Sequence, residues 1–277
     1  MDLKTYVISE NKAVVRRDPV VLALLGKTLN KIQYKLYAAQ RAYVATNFIR
    51  LVDKAAKLAR EYGDEALAAT LQSNLNDEIG MGQDGKTHDE LDHRKWKANY
   101  LRAIGIEADI KGFPLLQATQ GHVDAFLEME ANGTMFSISG AILSLENIIP
   151  LEYRAAVSSR DHLFPEVFCI SDDDSAEIGK QKELARRYLD DHIVHDSKSH
   201  FPDLLQALVK YETDPVAMTE IRSGIDVVNA YRKKFYQGLA AALKLEDSVM
   251  EYYIHVVQKQ VADFPAPTSS ATPAYAI

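Results

Sequence analysis

Apolar residues recur along most of this chain at the spacing of helix turns, and no segment alternates between apolar and polar side chains as a half-buried strand does. The first clear helix signal is Asp18-Pro19, because aspartate is a favoured N-cap and proline a favoured first helical residue. Val21, Leu25 and Leu29 then follow on one face. Similar signals continue to about residue 263, so the sequence predicts an all-α bundle of seven to nine helices.

The 277 residues are enough for one large domain or two small ones, and we favour one. We assign residues 18–263 to this domain. Residues 1–17 carry no helical pattern and are interpreted as an N-terminal extension. Residues 264–277 are rich in proline, alanine, serine and threonine, a composition typical of a disordered tail.

Charge and composition exclude several classes of partner. The net charge of −7 argues against a nucleic-acid-binding surface, which needs clustered lysine and arginine. The chain has no uncharged apolar run of membrane-spanning length, and its N-terminus lacks the apolar segment of a secretion signal. We therefore expect a soluble cytoplasmic protein that binds neither nucleic acid nor a membrane. The single cysteine, Cys169, excludes an intramolecular disulfide.

The segment from His192 to His200 contains three histidines and one aspartate. At roughly 100° per residue, the side chains of His192, His195, Asp196 and His200 share one face of a helix. Imidazole and carboxylate together suit zinc, iron, manganese or nickel. Such clusters also occur on solvated helix faces and at helix caps, so this segment needs partners elsewhere in the chain.

Two glutamates are predicted to point into the core. Residues 131–145 contain no charged side chain, and Glu146 then follows between Ile142 and Ile149, its neighbours one turn away. Glu78 lies on the apolar stripe of an earlier helix, three residues after Leu75. A buried carboxylate is costly unless a cation or a metal compensates its charge. Both glutamates therefore need a partner.

One further histidine completes a set of metal ligands. His88 lies ten residues after Glu78, past the glycine-rich loop 80–85, at the predicted start of the next helix. The loop lacks the lysine and serine or threonine that end a phosphate-binding loop. The set of six nitrogen and oxygen ligands on four helices is the kind from which helix bundles build dinuclear iron or manganese sites. Because it includes no cysteine, iron–sulfur and structural zinc sites are poor fits.

The order of these residues resembles the heme-oxygenase-like diiron oxidases and oxygenases, a family that includes CADD-like proteins. Three segments carry the resemblance: residues 74–80 before His88, Glu146 followed by Pro150 and Tyr153, and the aspartate four residues after His192. The resemblance implies a heme-oxygenase-like helical bundle with a ligand set of Glu78, His88, Glu146, His192 and Asp196.

The sixth ligand departs from the family pattern. Members usually place a histidine three residues after the aspartate, but Ser199 occupies that position here and His200 follows it. A wide turn or π-bulge just before Pro202 would bring His200 inward. His200 is therefore the predicted sixth metal ligand. Without such a turn the second metal would be weakly held, and His195 could replace His200 only with a different helix rotation.

The resemblance implies that two Fe(II) ions activate O2 to oxidise a small amino-acid-derived or other carboxylate substrate, by N-oxygenation or oxidative C–C cleavage. An external electron donor and a homodimer are further expectations. Arg154, two turns beyond Glu146, is a candidate partner for the substrate carboxylate, with a surface position as the alternative.

Two alternatives remain open. TenA-like and PqqC-like relatives of the same fold perform metal-free chemistry, but TenA-type hydrolysis needs a pocket cysteine, and Cys169 lies in a predicted connecting segment. The second alternative is a non-catalytic helical interaction protein, for which six inward polar side chains would be an unexplained energetic cost.

Overall fold

The computed structural model describes residues 1–82, 84–110 and 112–245, and most of these residues are helical. Their one β pairing is an isolated bridge between Met81 and Thr87. The predicted all-α class is confirmed, whereas the predicted tail 264–277 lies outside the described residues. The helices are α1 (Leu3–Val15), α2 (Pro19–Leu25), α3 (Lys31–Tyr62), α4 (Glu65–Glu78), α5 (His93–Ala103), α6 (Gln117–Asn132), α7 (Met135–Leu163), α8 (Pro165–Phe168), α9 (Ala176–His195), a π-helical turn (Asp196–His200), α10 (Phe201–Val209) and α11 (Pro215–Leu243).

Several helix ends follow the local signals in the sequence. The Asp18 carboxylate accepts a hydrogen bond from the backbone N–H of Val20 at 2.8 Å, which caps α2. Helix α3 ends at Gly63 in the left-handed conformation. Asp64 then accepts from the N–H of Leu67 at 3.1 Å and starts α4. These local contacts fix the α3–α4 hairpin, which carries Glu78 at its far end.

The N-terminal segment is part of the bundle, which corrects its interpretation as an unpatterned extension. Helix α1 packs against α7 and α11. Its buried face consists of one residue per turn: Leu3, Val7, Asn11 and Val15. The Asn11 amide donates to the Ser144 carbonyl at 2.8 Å. A polar residue therefore fills one position of the buried stripe, and this weakens the apolar pattern in the sequence.

Helix α7 lies at the centre of the bundle and contacts α11, α9, α3, α1 and α2. Its uncharged first half is buried on most sides. A side chain at Gly224 of α11 would collide with the Ser137 carbonyl of α7, so glycine permits the close approach of these two helices. None of the described helices has the length and apolar composition needed to cross a bilayer.

Candidate metal centre

Five helical segments bring six nitrogen- and oxygen-bearing side chains into the core. Donor group 1 consists of Glu78, His93 and His192, and donor group 2 consists of Glu146, Asp196 and His200. Within each group, one candidate ligand atom from each residue lies within 4.8 Å of the others. All six side chains are buried. Each group has enough donors in reach of one another to hold a metal ion.

Donor group 1 joins the end of α4, the start of α5 and the last turn of α9. The Oε1 atom of Glu78 is 3.4 Å from His93 Nδ1 and 3.6 Å from His192 Nε2. The two imidazole rings have centroids 4.5 Å apart. Within the described part of the chain, His93 Nδ1 is buried and makes no hydrogen bond. These three atoms converge on a common point without making hydrogen bonds of good length among themselves.

A tight loop holds Glu78 beside His93. Glu78 is the last residue of α4, and His93 is the first residue of α5 after its N-cap, Asp92. A Cβ atom on Gly80 would lie 2.6 Å from the backbone nitrogen of Asp92, and the φ angle of Gly80 is 69°. Glycine is therefore required for the close approach of the two helix ends.

Donor group 2 joins the middle of α7 to the π-helical turn. His200 Nδ1 is 3.5 Å from Glu146 Oε2 and 3.4 Å from Asp196 Oδ1. Both carboxylate oxygens of Asp196 and the Nδ1 of His200 are buried and make no hydrogen bond with any residue that the structure describes. Unpartnered buried polar atoms are costly, and a bound cation would compensate them.

The π-helical turn explains how His200 reaches this position. Residues Asp196–His200 form the turn, with the N–H of Phe201 bonded to the carbonyl of Asp196. A π turn holds one residue more than an α turn. His200 therefore faces the core with Asp196, although one extra residue separates the two relative to the family pattern. The expected wide turn before Pro202 is confirmed.

Outer hydrogen bonds orient two of the histidines. His192 Nδ1 lies 2.6 Å from the Tyr188 carbonyl, which can only accept, so the nitrogen carries the proton and Nε2 faces Glu78. His200 Nε2 lies 3.0 Å from Asp77 Oδ2 and donates to it, which directs Nδ1 toward donor group 2. Metal-bound histidines are usually held by a carbonyl or carboxylate in this way. Asp77 was not singled out by the sequence analysis.

The charges of the two groups are strongly coupled. Burial favours the neutral form of Glu78, but His93 and His192 outweigh it and hold the pKa of this carboxyl well below its ordinary value. Burial would lower the pKa of His192, yet Glu78 and Asp196 raise it to about 9. Burial raises the pKa of Glu146 to about 7, with His200 opposing and Asp196 adding to the rise. Without a bound metal, protons on His192 and on Glu146 therefore help to compensate the negative charge of the buried carboxylates.

Five of the six predicted ligands come together in the two groups: Glu78, Glu146, His192, Asp196 and His200. The sixth, His88, does not belong to either group. Its Nε2 lies 2.9 Å from Asp84 Oδ1 in the loop, and its side chain is 34% exposed. His93 takes the place in donor group 1 that was predicted for His88. The reason is that Asp92, rather than a residue near 87, caps α5. His195, predicted to share the face of His192, is exposed.

A cavity adjoins both donor groups. Glu78, Glu146, His192 and Asp196 form one part of its lining. Arg41 and Arg232 form another part, which the sequence analysis did not predict. Arg154, the predicted carboxylate partner, is not among the lining residues, and its Nη2 lies 3.4 Å from Ser197 Oγ. The remaining wall is largely apolar: Val44, Ala45, Phe48, Phe126, Leu145, Ile149, Tyr153 and Tyr188.

Comparison with solved structures identifies proteins of the same fold. A CADD-like protein of unknown function from Nostoc punctiforme PCC 73102 superimposes with a TM-score of 0.63 at 16% identity, over 88% of this chain and 98% of the other. A TenA homolog from Pseudomonas syringae pv. tomato DC3000 superimposes with a TM-score of 0.64 at 13% identity, over 85% and 91% of the two chains.

The chain has the fold shared by CADD-like and TenA proteins. The structural neighbours are thus those that the sequence resemblance named, and the heme-oxygenase-like fold class is confirmed. No protein-family model and no curated protein sequence matches the chain. At these identities the CADD-like and TenA structures establish the fold alone, so function has to be argued from the donor groups.

Proposed function

We propose that this protein is a non-heme diiron oxidase or oxygenase that uses O2 to oxidise a small amino-acid-derived or other carboxylate substrate, by N-oxygenation or oxidative C–C cleavage. The observation that carries the proposal is the pair of adjacent donor groups in the core. His93, Asp196 and His200 contribute buried ligand atoms that have no hydrogen-bond partner in the described part of the chain.

The chemistry of the donors fits iron. All six are nitrogen or carboxylate oxygen, and Cys169 is exposed on the surface. Helix bundles use carboxylates and histidines from facing helices to hold two iron or manganese ions. The three carboxylates Glu78, Glu146 and Asp196 would balance three of the four charges of two Fe(II) ions, and Asp77, bonded to His200, would balance the fourth.

Two bound Fe(II) ions would supply electrons for the reduction of O2. The protein's own residues would hold the metal ions, orient the ligand side chains and keep water out of the site. Tyr188 and Asp77 fix the histidine rings, and the buried position of all six donors keeps bulk water away. The cavity gives a small substrate access to the same residues. An external donor would have to return electrons to the site after turnover.

The two alternatives receive less support. A TenA-type hydrolysis with a cysteine is not favoured, because Cys169 is exposed and does not line the cavity. A purely structural or interaction role leaves the unpartnered buried atoms of Asp196 and His200 without a reason.

Oxygen consumption tests the proposal. Protein loaded anaerobically with Fe(II) should consume O2 faster than the same concentration of free Fe(II), and a suitable carboxylate should accelerate the reaction. Glu146→Ala should remove this activity, whereas His195→Ala, on the exposed side of the same centre, should retain it. Equal rates for wild type and Glu146→Ala would contradict the assignment.

A further inference from the structure

A second buried charged cluster lies on α3, α7 and α11. The Nε of Arg41 is 2.7 Å from Glu152 Oε1, and the Nη1 of Arg232 is 2.6 Å from Glu152 Oε2. The side chains of Arg41, Arg232 and Glu152 are 7%, 1% and 0% exposed. Tyr37 also donates to Glu152 Oε1 at 2.9 Å. The cluster contains two buried cations and one anion, and so carries an excess positive charge.

Several polar atoms of this cluster lack a partner. Nε and Nη2 of Arg232 are buried and make no hydrogen bond within the described residues. The hydroxyl of Tyr236 and both ring nitrogens of His122 are also buried and make no hydrogen bond within the described residues. Burial, together with the charges of Arg232 and Arg41, holds the pKa of His122 well below its ordinary value, so this histidine is neutral. An arginine with unsatisfied N–H groups in an enclosed space is costly unless an anion occupies it.

A neighbouring acidic group, Asp18, does not cancel the excess charge. The Asp18 carboxylate is occupied as the cap of α2, where it accepts from the N–H groups of Val20 and Val21. Burial raises the pKa of Asp18 to about 7, and Glu152 adds to the rise. Near neutral pH this carboxyl is only partly ionised.

The arginines face the cavity beside the donor groups. Arg41 and Arg232 line the cavity that Glu78, Glu146, His192 and Asp196 also line. The guanidinium carbon of Arg41 lies 5.6 Å from the ring centroid of Tyr153, and that ring is 5.6 Å from the ring of His192. A single aromatic ring therefore separates the cationic cluster from donor group 1.

We propose that Arg41 and Arg232 bind the carboxylate of a mono-anionic substrate whose body is apolar. Arginine offers a planar set of donors that matches a carboxylate, and the unpartnered Nε and Nη2 of Arg232 supply two of them. Val44, Phe48 and Phe126 form an apolar part of the same wall, and the body of the molecule would lie against them. The binding does not require iron, although its role as a substrate site rests on the proposed diiron function.

The same cavity disfavours an α-amino acid. An ammonium group beside the carboxylate would need an acceptor, but Glu152 is already shared by Arg41, Arg232 and Tyr37. The acidic residues in the lining are Glu78, Glu146 and Asp196, which belong to the donor groups. The site therefore selects a plain carboxylic acid over a zwitterion, which narrows the substrate class.

Calorimetry on metal-free full-length protein tests this site without iron chemistry. The probes are octanoate, octanamide and 2-aminooctanoate, which share a chain and differ in the head group. Octanoate should bind at least about 10-fold more tightly than octanamide, because a charged hydrogen-bonded pair replaces a neutral one. Equal affinity for octanoate and octanamide in the wild type overturns the proposal, and this comparison needs no mutation. The comparison with 2-aminooctanoate is made on anaerobic iron-loaded protein, in which Glu78, Glu146 and Asp196 hold metal, and equal affinity for 2-aminooctanoate and octanoate there overturns the exclusion of zwitterions.

Matched variants assign the effect to the arginines. Arg232→Gln should remove the preference for octanoate over octanamide, whereas Arg50→Gln, on the exposed surface, should leave it intact. An unchanged preference in folded Arg232→Gln, or octanoate binding that appears only with iron, would overturn the proposal by placing the carboxylate elsewhere. Octanoate selectivity in a protein that takes up no iron would leave this site standing and remove the diiron function. Two bound irons without octanoate selectivity would support the diiron function and overturn the carboxylate site.

Discussion

Replacing His200 with alanine removes the one histidine of donor group 2 and should destabilise the metal-free protein. Burial would lower the pKa of His200, but Glu146, Asp196 and Asp77 together raise it well above its ordinary value, so the ring is a buried cation. It lies 3.5 Å from Glu146 and 3.4 Å from Asp196. With an effective dielectric constant of about 20, each such contact is worth roughly 5 kcal/mol.

The net loss is smaller than the sum of these contacts. The pKa of Glu146 is about 7 even with His200 present, so a proton can replace the lost cation when the ring is removed. We therefore expect His200→Ala to lower the free energy of unfolding by about 3–5 kcal/mol, the range found when one partner of a buried ion pair is removed.

Urea unfolding of the metal-free variants at pH 7.5, followed by circular dichroism, measures this change. His195→Ala is the control, because this exposed side chain lies five residues away on the same continuous helix, and it should shift stability by less than about 0.5 kcal/mol. After anaerobic loading, His200→Ala should hold one iron where the wild type holds two. A His200→Ala protein with wild-type stability and two irons would refute the role given to the π-helical turn.

Three further predictions test other parts of the account. His93→Ala should lose the iron of donor group 1 while His88→Ala retains both ions, and equal iron counts in the two proteins would argue against the revised ligand set. Asp77→Asn should weaken iron at donor group 2 by about 10-fold in competition with a chelator, because it removes the charge that orients His200. Asp18→Asn should stabilise the protein by about 2–4 kcal/mol at pH 8 but not at pH 4. Burial raises the pKa of Asp18 to about 7, so ionisation of this carboxyl opposes folding as the pH rises from 4 through 7. Denaturant titrations at the two pH values measure the difference, and an equal effect at both would be inconsistent with a raised pKa.

The parts of the centre that the sequence predicted depend on local patterns. Glu146 follows fifteen uncharged residues, so its burial could be inferred from its neighbours alone. Asp64 marked the start of α4 because capping depends only on the next few residues. The wide turn at His200 could be expected because a histidine one residue too late must be accommodated by the helix itself.

The error at His88 arose from a loop whose path depends on tertiary contacts. The loop that carries His88 brings Gly80 close to Asp92, a contact between residues twelve apart in the sequence. One signal was present in the sequence. Trp96 and Tyr100 are buried three and seven residues after His93, and this spacing favours a helix that begins at Asp92 with His93 on its inner face.

The arginine cluster was missed because its members meet only in the folded chain. Arg41 lies between Tyr37 and Val44 on the buried stripe of α3, and Arg232 interrupts an equivalent stripe of α11. The reasoning applied to Glu146 would have marked both as buried charges. Their shared partner, Glu152 on α7, is set by the packing of three helices and lies beyond sequence patterns.

The most direct test of the central claim is the number and position of bound irons. Crystals of protein loaded anaerobically with Fe(II) should show two anomalous peaks at the iron edge for each chain. One peak should lie among Glu78, His93 and His192, and the other among Glu146, Asp196 and His200. No iron in either donor group, or iron bound by other residues, would contradict the account.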